Sequence, residues 1–233
     1  MSRSETEKIV ALARAKGESP DLSGANLRTA DLTGADLTDA NLSGATLSSA
    51  DLTGANLNGA NLTDADLKRA NLNGVNLSGA NLEGANLQYA KLRGANLTAA
   101  NLWRADLTCA KLIGANLSGA ELSYMSLYSA DVYGADLSGV KLTHADLRWA
   151  KLSHADLTGA DLRGASLTDA KLADDPMTLV DHEIPEVRAW AAQRVTDPTA
   201  LMQLAMDDAE LVRAAVLENG SATDEIRVAV TLQ

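Results

Sequence analysis

The sequence contains no phenylalanine, a single cysteine and few aromatic residues of any kind. Three Trp and four Tyr stand among 233 residues, so the core must be built from aliphatic side chains. Lone Cys109 excludes an internal disulfide, and without clustered histidines it predicts no metal site. No apolar run of about 18 residues exists, and the N-terminal MSRSETEK lacks the apolar stretch of a signal peptide. We therefore expect a cytoplasmic protein that does not span or bind a membrane.

Basic residues are also scarce relative to acidic ones. The chain has 20 Lys and Arg against 31 Asp and Glu, a formal net charge of -11, and a pI near 4.7. This balance disfavours direct nucleic-acid binding through phosphate contacts and favours basic protein partners. There is no glycine-rich phosphate loop, nucleophile elbow or spaced set of histidines. The sequence therefore predicts neither enzymatic activity nor a cofactor.

The chain does contain a strict repeat of five residues. Leucine returns at every fifth position from Leu22 to Leu172, with Val132 as the one exception, which makes 31 units. Alanine stands two places before the leucine in 27 units, and Asp or Asn directly before it in 22. Repeats of this kind decide the fold and are sought before local structure.

A five-residue repeat fits neither a regular helix nor a flat strand. Five residues advance about 140° around an α-helix, so the leucines would cover every face. In a strand, leucines five apart would point to opposite sides. The repeat works if the chain turns a corner in each unit, with Leu and Ala inward and Gly, Asn, Asp and Ser at the corners. Met125 and Val140, which replace the inward alanine, predict local swelling of the coil.

The motif resembles the pentapeptide-repeat family, whose pattern A(D/N)LxG occurs unchanged as ADLTG at residues 30–34. The resemblance covers roughly residues 20 to 174. It implies a mainly β fold, a right-handed quadrilateral parallel β-helix with twenty residues per coil and nearly eight coils. Residues twenty apart are then expected to lie in vertical columns on one side of the coil.

Both ends of the chain depart from the repeat, which divides the sequence into segments 1–17, 18–174 and 175–233. Residues 4–16 predict a short helix that ends near Gly17 and caps the first coil; a partner-binding helix is the alternative. After Leu172 the pattern becomes helical, with Pro185 and Pro198 at helix starts. Val-Arg-Ala recurs after 25 residues, which resembles variant leucine-rich or HEAT-like helical repeats. This segment is interpreted as a cap, a second binding module or a dimerisation element.

Six of the seven aromatic residues lie within the repeat, none of them before Tyr89, and each follows the leucine position by one or two places. Most of them fall, with two arginines, on two adjacent sides of the predicted coil. Tyr, Trp and Arg are enriched at protein interfaces, whereas a β-helix has no need of them outside. We therefore predict a partner-binding surface, the aromatic patch, which comprises Tyr89, Trp103, Arg104, Tyr124, Tyr128, Arg148 and Trp149. The alternative is that these rings merely cover the coil.

Lysines replace the usual Asp or Asn in one predicted column. We name Lys91, Arg93, Lys111, Lys151 and Lys171 the basic stripe. Lysines stacked about 5 Å apart repel one another unless solvent, Asp131 or a partner compensates. The stripe is interpreted either as a solvated surface or as a binding site for an acidic partner.

Three functions remain open from the sequence. The first is a non-enzymatic interaction solenoid that binds a protein partner through its outer faces. The second, which the resemblance implies, is an acidic DNA mimic that binds and protects DNA gyrase, as some pentapeptide-repeat proteins do. This chain differs from those proteins in having no Phe in the core and no evident loop inserted between units. The third is a structural or targeting solenoid. Family rods can also dimerise end to end, so a homodimer stays open.

Overall fold

A coil of twenty residues organises the first part of the molecule, as a computed structural model of residues 3–232 shows. Parallel β-bridges join every residue that precedes a leucine to its counterpart twenty residues later, from Asp21 with Asn41 to Asp146 with Ser166. Each coil contains four such bridges and four turns, which makes it a four-sided β-helix. The sides are so short that pairing is reduced to single-residue bridges. No extended strand occurs within residues 3–232, so the expected β content is carried by these bridges.

Each corner is a tight turn with a defined backbone conformation. The leucine carbonyl accepts the amide of the alanine three residues later, for example Ala35 N to Leu32 O at 3.0 Å. The second residue after each leucine, from Gly24 to Asp169, has φ between 54° and 72°. Fifteen of these thirty positions are glycine and fifteen are not. Positive φ at the third position is the requirement of a type II turn, which explains the many glycines there.

The core consists of stacked leucines and alanines. From Leu22 to Leu152 the leucines are 0–2% exposed, and each such burial contributes roughly 2 kcal/mol. At Met125 and Val140 the turn hydrogen bond lengthens to 3.4 Å, against about 3.0 Å where alanine occupies the position. The larger side chains therefore coincide with longer turn hydrogen bonds at the two positions where the sequence predicts swelling.

The Asp and Asn residues before the leucines stabilise the turns. Their side-chain oxygens accept the backbone amide two residues later, as Asp31 does from Thr33 at 3.0 Å. Several asparagines also donate to the residue twenty positions earlier in the same column, such as Asn76 to Asn56 at 2.9 Å. The abundance of these residue types is thus explained by the fold without any reaction.

The N-terminal helix α1 spans Arg3–Ala15. These bounds agree to within one residue with the helix predicted over residues 4–16; residues 1 and 2 of the predicted segment 1–17 lie outside the described range. The amides of Gly17 and Glu18 bond to the carbonyls of Arg14 and Ala13, and Gly17 has a φ of 72°, which confirms it as the helix stop. Arg14 forms an ion pair with Asp36 of the coil at 3.1 Å.

The chain divides into two compact units between Ala170 and Lys171. The second unit contains a 3-10 helix, Pro176–Leu179, and four α-helices: α2 (Pro185–Ala192), α3 (Pro198–Ala205), α4 (Glu210–Glu218) and α5 (Asp224–Thr231). α2 packs on α4 and α3 on α5. Pro185 and Pro198 stand at the predicted helix starts. No helix within residues 3–232 has both the length and the apolar character needed to cross a bilayer.

The predicted 25-residue repeat of the second unit is visible in its hydrogen bonds. Arg188 donates to the carbonyls of His182 and Glu183, six and five residues before it. Arg213 makes the same two contacts, with the carbonyls of Asp207 and Asp208. Two successive helical units therefore repeat one local arrangement.

Candidate protein-binding surfaces

The four sides of the coil provide a frame for locating the predicted site residues. We number the sides by their first leucines: Leu22 for the first side, Leu27 for the second, Leu32 for the third and Leu37 for the fourth. Every residue twenty positions further along lies on the same side, because the bridges join residues twenty apart. The aromatic patch lies on the first and second sides, and the basic stripe from Lys91 to Lys151 lies on the third.

On the first side, the patch residues take part in two contacting pairs, one of which includes His144 from outside the patch. The guanidinium carbon of Arg104 lies 4.2 Å from the ring centroid of Trp103, a cation–π contact. Tyr124 stacks on His144, with centroids 5.0 Å apart and an interplanar angle of 23°. Trp103 is only half-buried although the sequence places it outward. These contacts hold the rings against the wall.

On the second side, Arg148 orders its neighbours. Its guanidinium carbon lies 5.4 Å from the Tyr128 ring centroid, while Nε and Nη2 donate to Asp146 at 2.8 and 2.7 Å. The hydrogen bond from Arg148 is the main reason that the pKa of Asp146 lies below its ordinary value. Trp149 is 55% exposed and makes no ring contact with any residue in the 3–232 range.

Two further ring contacts were not predicted from the sequence. Arg69 lies over Tyr89, with its guanidinium carbon 5.8 Å from the ring centroid. Tyr133, on the third side and outside the patch, makes an edge contact with His154 at 5.1 Å between centroids. The spacing of twenty could have shown the first contact, whereas the second joins residues 21 apart in different columns.

Three rings of the patch occupy the turn position that favours glycine. Tyr89, Tyr124 and Trp149 have φ values of 60°, 59° and 63°. A residue with a Cβ in this left-handed conformation costs about 1–2 kcal/mol relative to the ordinary helical region. All three side chains are nonetheless half or more exposed, at 50%, 56% and 55%. Core packing therefore does not compensate for the backbone conformation.

The basic stripe forms a continuous ladder over most of its length. Bridges join Lys91 to Lys111, Lys111 to Asp131, and Asp131 to Lys151. Lys91, Arg93, Lys111 and Lys151 are exposed, and none of them has an ion-pair partner among the described residues. Lys171 belongs to the second compact unit, where its ammonium lies 2.6 Å from Asp174.

Acidic residues that precede the leucines accept hydrogen bonds within the turns of the coil. The hydroxyl and amide of Thr53 lower the pKa of Asp51, and those of Thr38 do the same for Asp36. Within residues 3–232, no group of three or more His, Cys, Asp or Glu side chains is arranged to hold a metal ion. The surface of the coil therefore presents rings, guanidinium groups, ammonium groups and carboxylates.

The pentapeptide repeats family model matches this chain in 8 copies, over residues 21–59, 60–98, 85–123, 105–143 and 141–174. These segments cover more than half of the sequence and coincide with the four-sided coil. The chain belongs to the pentapeptide repeat family. No curated protein sequence matches it significantly.

Several solved structures are similar to the repeat. HetL, a pentapeptide repeat protein involved in heterocyst differentiation regulation in the cyanobacterium Nostoc sp. strain PCC 7120, is 41% identical over 65% of this chain and 74% of its own, with a TM-score of 0.34. A pentapeptide repeat protein of the Arabidopsis thaliana thylakoid lumen is 33% identical over 47% and 76%, with a TM-score of 0.44. QnrB1, a plasmid-mediated fluoroquinolone resistance protein, is 24% identical over 63% and 72%, with a TM-score of 0.35.

Proposed function

We propose that this protein is a non-enzymatic interaction solenoid that binds a protein partner through the aromatic patch. One observation carries the proposal. Tyr89, Tyr124 and Trp149 hold large exposed rings at turn positions where fifteen other units use glycine. Strained residues that the fold does not require are characteristic of functional surfaces. Exposed Tyr, Trp and Arg side chains are also the residues that most often dominate binding energy.

The contacts within the patch prepare it for binding. Arg104 on Trp103 and Arg148 on Tyr128 each restrict an aromatic ring and a guanidinium group before a partner arrives. Side chains that are already ordered lose less conformational entropy on association. The remaining donors of each guanidinium point to a partner with carboxylates or carbonyls near its apolar contacts.

The backbone conformation allows a test that separates binding from folding. Tyr124→Gly with Trp149→Gly removes two rings and relieves two left-handed residues, so the variant is expected to fold at least as well as wild type. Ser49→Gly with Ala99→Gly makes the same backbone change, at φ values of 59° and 54°, without removing a ring. Both variants and the wild type are immobilised and exposed to lysate of the source organism.

The proposal predicts that one protein is retained by wild type and by the Ser49/Ala99 variant and lost from the Tyr124/Trp149 variant. Its purified form should then bind with an affinity reduced at least tenfold by the ring substitutions. Equal retention by all three baits would refute the patch as the binding surface.

The second candidate is a DNA mimic that binds and protects DNA gyrase. The formal net charge of -11 and the carboxylates of Asp31, Asp36, Asp51 and Asp66 on the first coils favour it, because they make the coil acidic. Replacing Asp31, Asp36, Asp51 and Asp66 by Asn keeps the turn acceptors and removes four charges. In a supercoiling assay with purified gyrase and a quinolone, protection by wild type that this variant loses would favour mimicry. A structural or targeting scaffold would tolerate both sets of substitutions.

The architecture suits a rigid display surface, and we infer that the coil is right-handed. Connections between parallel strands of one sheet are right-handed in nearly all proteins. We further infer that α1 caps the first coil, because Arg14 pairs with Asp36 and Thr6 is buried. A covered end prevents the edge-to-edge association to which open β structures are prone.

A further inference from the structure

The third side of the coil contains two polar atoms that the fold leaves unsatisfied. Asn71 Oδ1 and Ser153 Oγ are the buried side-chain atoms without a hydrogen-bond partner within the described part of the chain. Both lie beside a lysine of the basic stripe: Asn71 is one coil before Lys91, and Ser153 follows Lys151 by two residues. Both defects therefore lie next to positions where a lysine replaces the usual Asp or Asn.

Neither lysine supplies the partner that the nearby oxygen lacks. Asn71 Oδ1 also lacks the amide two residues later, which satisfies Asn101 Oδ1 even though Glu121 follows in its column. In other columns, an asparagine donates to the side-chain oxygen twenty positions earlier, as Asn96 does to Asn76 at 3.2 Å; Lys91 makes no such contact with Asn71. Elsewhere a serine hydroxyl donates to the Asp or Asn two residues before it, as Ser138 does to Asp136. Lys151 has no acceptor for Ser153. A buried polar atom left in this state destabilises the folded protein.

The stripe is also unfavourable electrostatically. Lys91 and Lys111 are directly bridged neighbours, and Asp131 is the one acid in the ladder from Lys91 to Lys151. Like charges directly opposite one another destabilise a sheet. The column thus combines repulsion with lost hydrogen bonds, and the fold itself gains nothing from it.

We propose that the third side is a second docking surface, which binds an acidic amphipathic α-helix of a partner protein. Charge complementarity carries this choice, since Lys91, Arg93, Lys111 and Lys151 present four positive charges without ion-pair partners among the described residues. Ile113 and Tyr133 stand in the column of Arg93, two residues along from the lysines, and Tyr133 is 49% exposed. The surface therefore presents a column of lysines beside the apolar side chains of Ile113 and Tyr133. It is separate from the aromatic patch and does not depend on it.

The spacing of the lysines fits a helix laid parallel to the coil axis. Coils stack at about 4.8 Å, so Lys111 and Lys151 lie roughly 5 and 14 Å from Lys91 along the axis. A helix rises about 1.5 Å per residue, which places acidic residues at i, i+3 and i+10 opposite the three lysines. The position near i+6 faces Asp131 and should not be acidic.

The test uses a fluorescent helical peptide with Glu at i, i+3 and i+10 and leucines on the adjoining face. Binding is measured by fluorescence anisotropy against the full chain and two charge-matched variants. Lys111→Gln with Lys151→Gln removes two charges of the stripe, and Lys8→Gln with Lys141→Gln removes two charges elsewhere. The first pair should weaken binding about tenfold, because each exposed ion pair contributes modestly, whereas the second should change it less than about twofold. Lys111→Arg with Lys151→Arg should retain binding.

Three further results decide the proposal. The same peptide with Gln in place of Glu should lose binding, and the wild-type affinity should fall as salt is raised. If both double Gln variants bind the peptide equally, the stripe is not the docking surface. If a peptide of the same composition in scrambled order, or duplex DNA, binds as well as the designed helix, the site is a general polyanion surface and the proposal is wrong.

Discussion

Replacing Lys91 by asparagine should stabilise the coil, and the structure allows the gain to be worked out. The introduced amide would stand one coil after Asn71, in the geometry in which asparagines elsewhere donate to the residue below, so the buried Asn71 Oδ1 would acquire a donor. Satisfying that atom is worth about 1–3 kcal/mol. Removing the repulsion between Lys91 and Lys111 adds up to about 0.9 kcal/mol at a separation near 4.8 Å in water, less in salt. We expect a net stabilisation of about 2 kcal/mol.

The control is Lys111→Asn, which removes the same charge from the same column. The residue below it is Lys91, which has no acceptor for the new amide, and no orphaned side-chain oxygen lies there. Its gain is the one hydrogen bond that the new Oδ1 accepts from the amide of Ile113, about 1 kcal/mol or less, because the lost attraction to Asp131 offsets the relieved repulsion.

Urea unfolding followed by circular dichroism measures both variants against wild type. The midpoint should rise more for Lys91→Asn than for Lys111→Asn, and thermal midpoints should rise by about 4–8 °C for the former. If Lys91→Asn were neutral or destabilising, or if the two variants gained equally, the orphaned Asn71 oxygen would not be a source of instability. The structural argument for the basic stripe would then fail.

Three other perturbations test the fold. Leu97→Ala, at a fully buried position, should destabilise the coil by about 3 kcal/mol in urea unfolding. Asp207→Ala should destabilise the second unit by about 3 kcal/mol, because it leaves Arg188 without its partner in a largely buried ion pair with an N–O distance of 2.6 Å. Arg163→Ala, which breaks the exposed pair with Asp161, should cost less than about 1 kcal/mol. Acid should also weaken the coil, because hydrogen bonds from Thr53 hold the pKa of Asp51 below its value in the unfolded chain. The stability that this carboxylate contributes is complete above about pH 4 and is lost as the pH falls through the lower pKa of the folded state. A free energy of unfolding that stays constant from about pH 7 to 2 would contradict this prediction.

Much of the fold could be predicted from the sequence because one rule is repeated many times. The leucine period, the turn chemistry of Asp and Asn, and the stop at Gly17 are local signals, and neighbouring coils reinforce rather than override them. The longer turn hydrogen bonds at Met125 and Val140 follow in the same way from side-chain volume. The reduction of the β structure to single bridges was not expected, since the sides between turns are too short for strands.

The candidate surfaces could be located from the sequence but not described. The twenty-residue period places Tyr124 with His144 in one column, yet the burial of Trp103 depends on where the Arg104 side chain lies. The contact of Tyr133 with His154 crosses between columns and has no periodic signal. Asn71 Oδ1 receives neither the amide two residues later nor a donor from Lys91 in the next coil, which only the side-chain positions reveal.

The four-sided coil also restricts how such a protein can change in length. One five-residue unit occupies one side, so inserting or deleting a single unit would move every later side chain a quarter turn around the axis. Tyr128 and Arg148 would then face a different direction from Tyr89, while the leucine core would remain intact. Only changes of four units, one whole coil of twenty residues, keep the columns aligned. A lineage could therefore lengthen this rod freely as a scaffold, but could preserve its surfaces only by adding or losing complete coils.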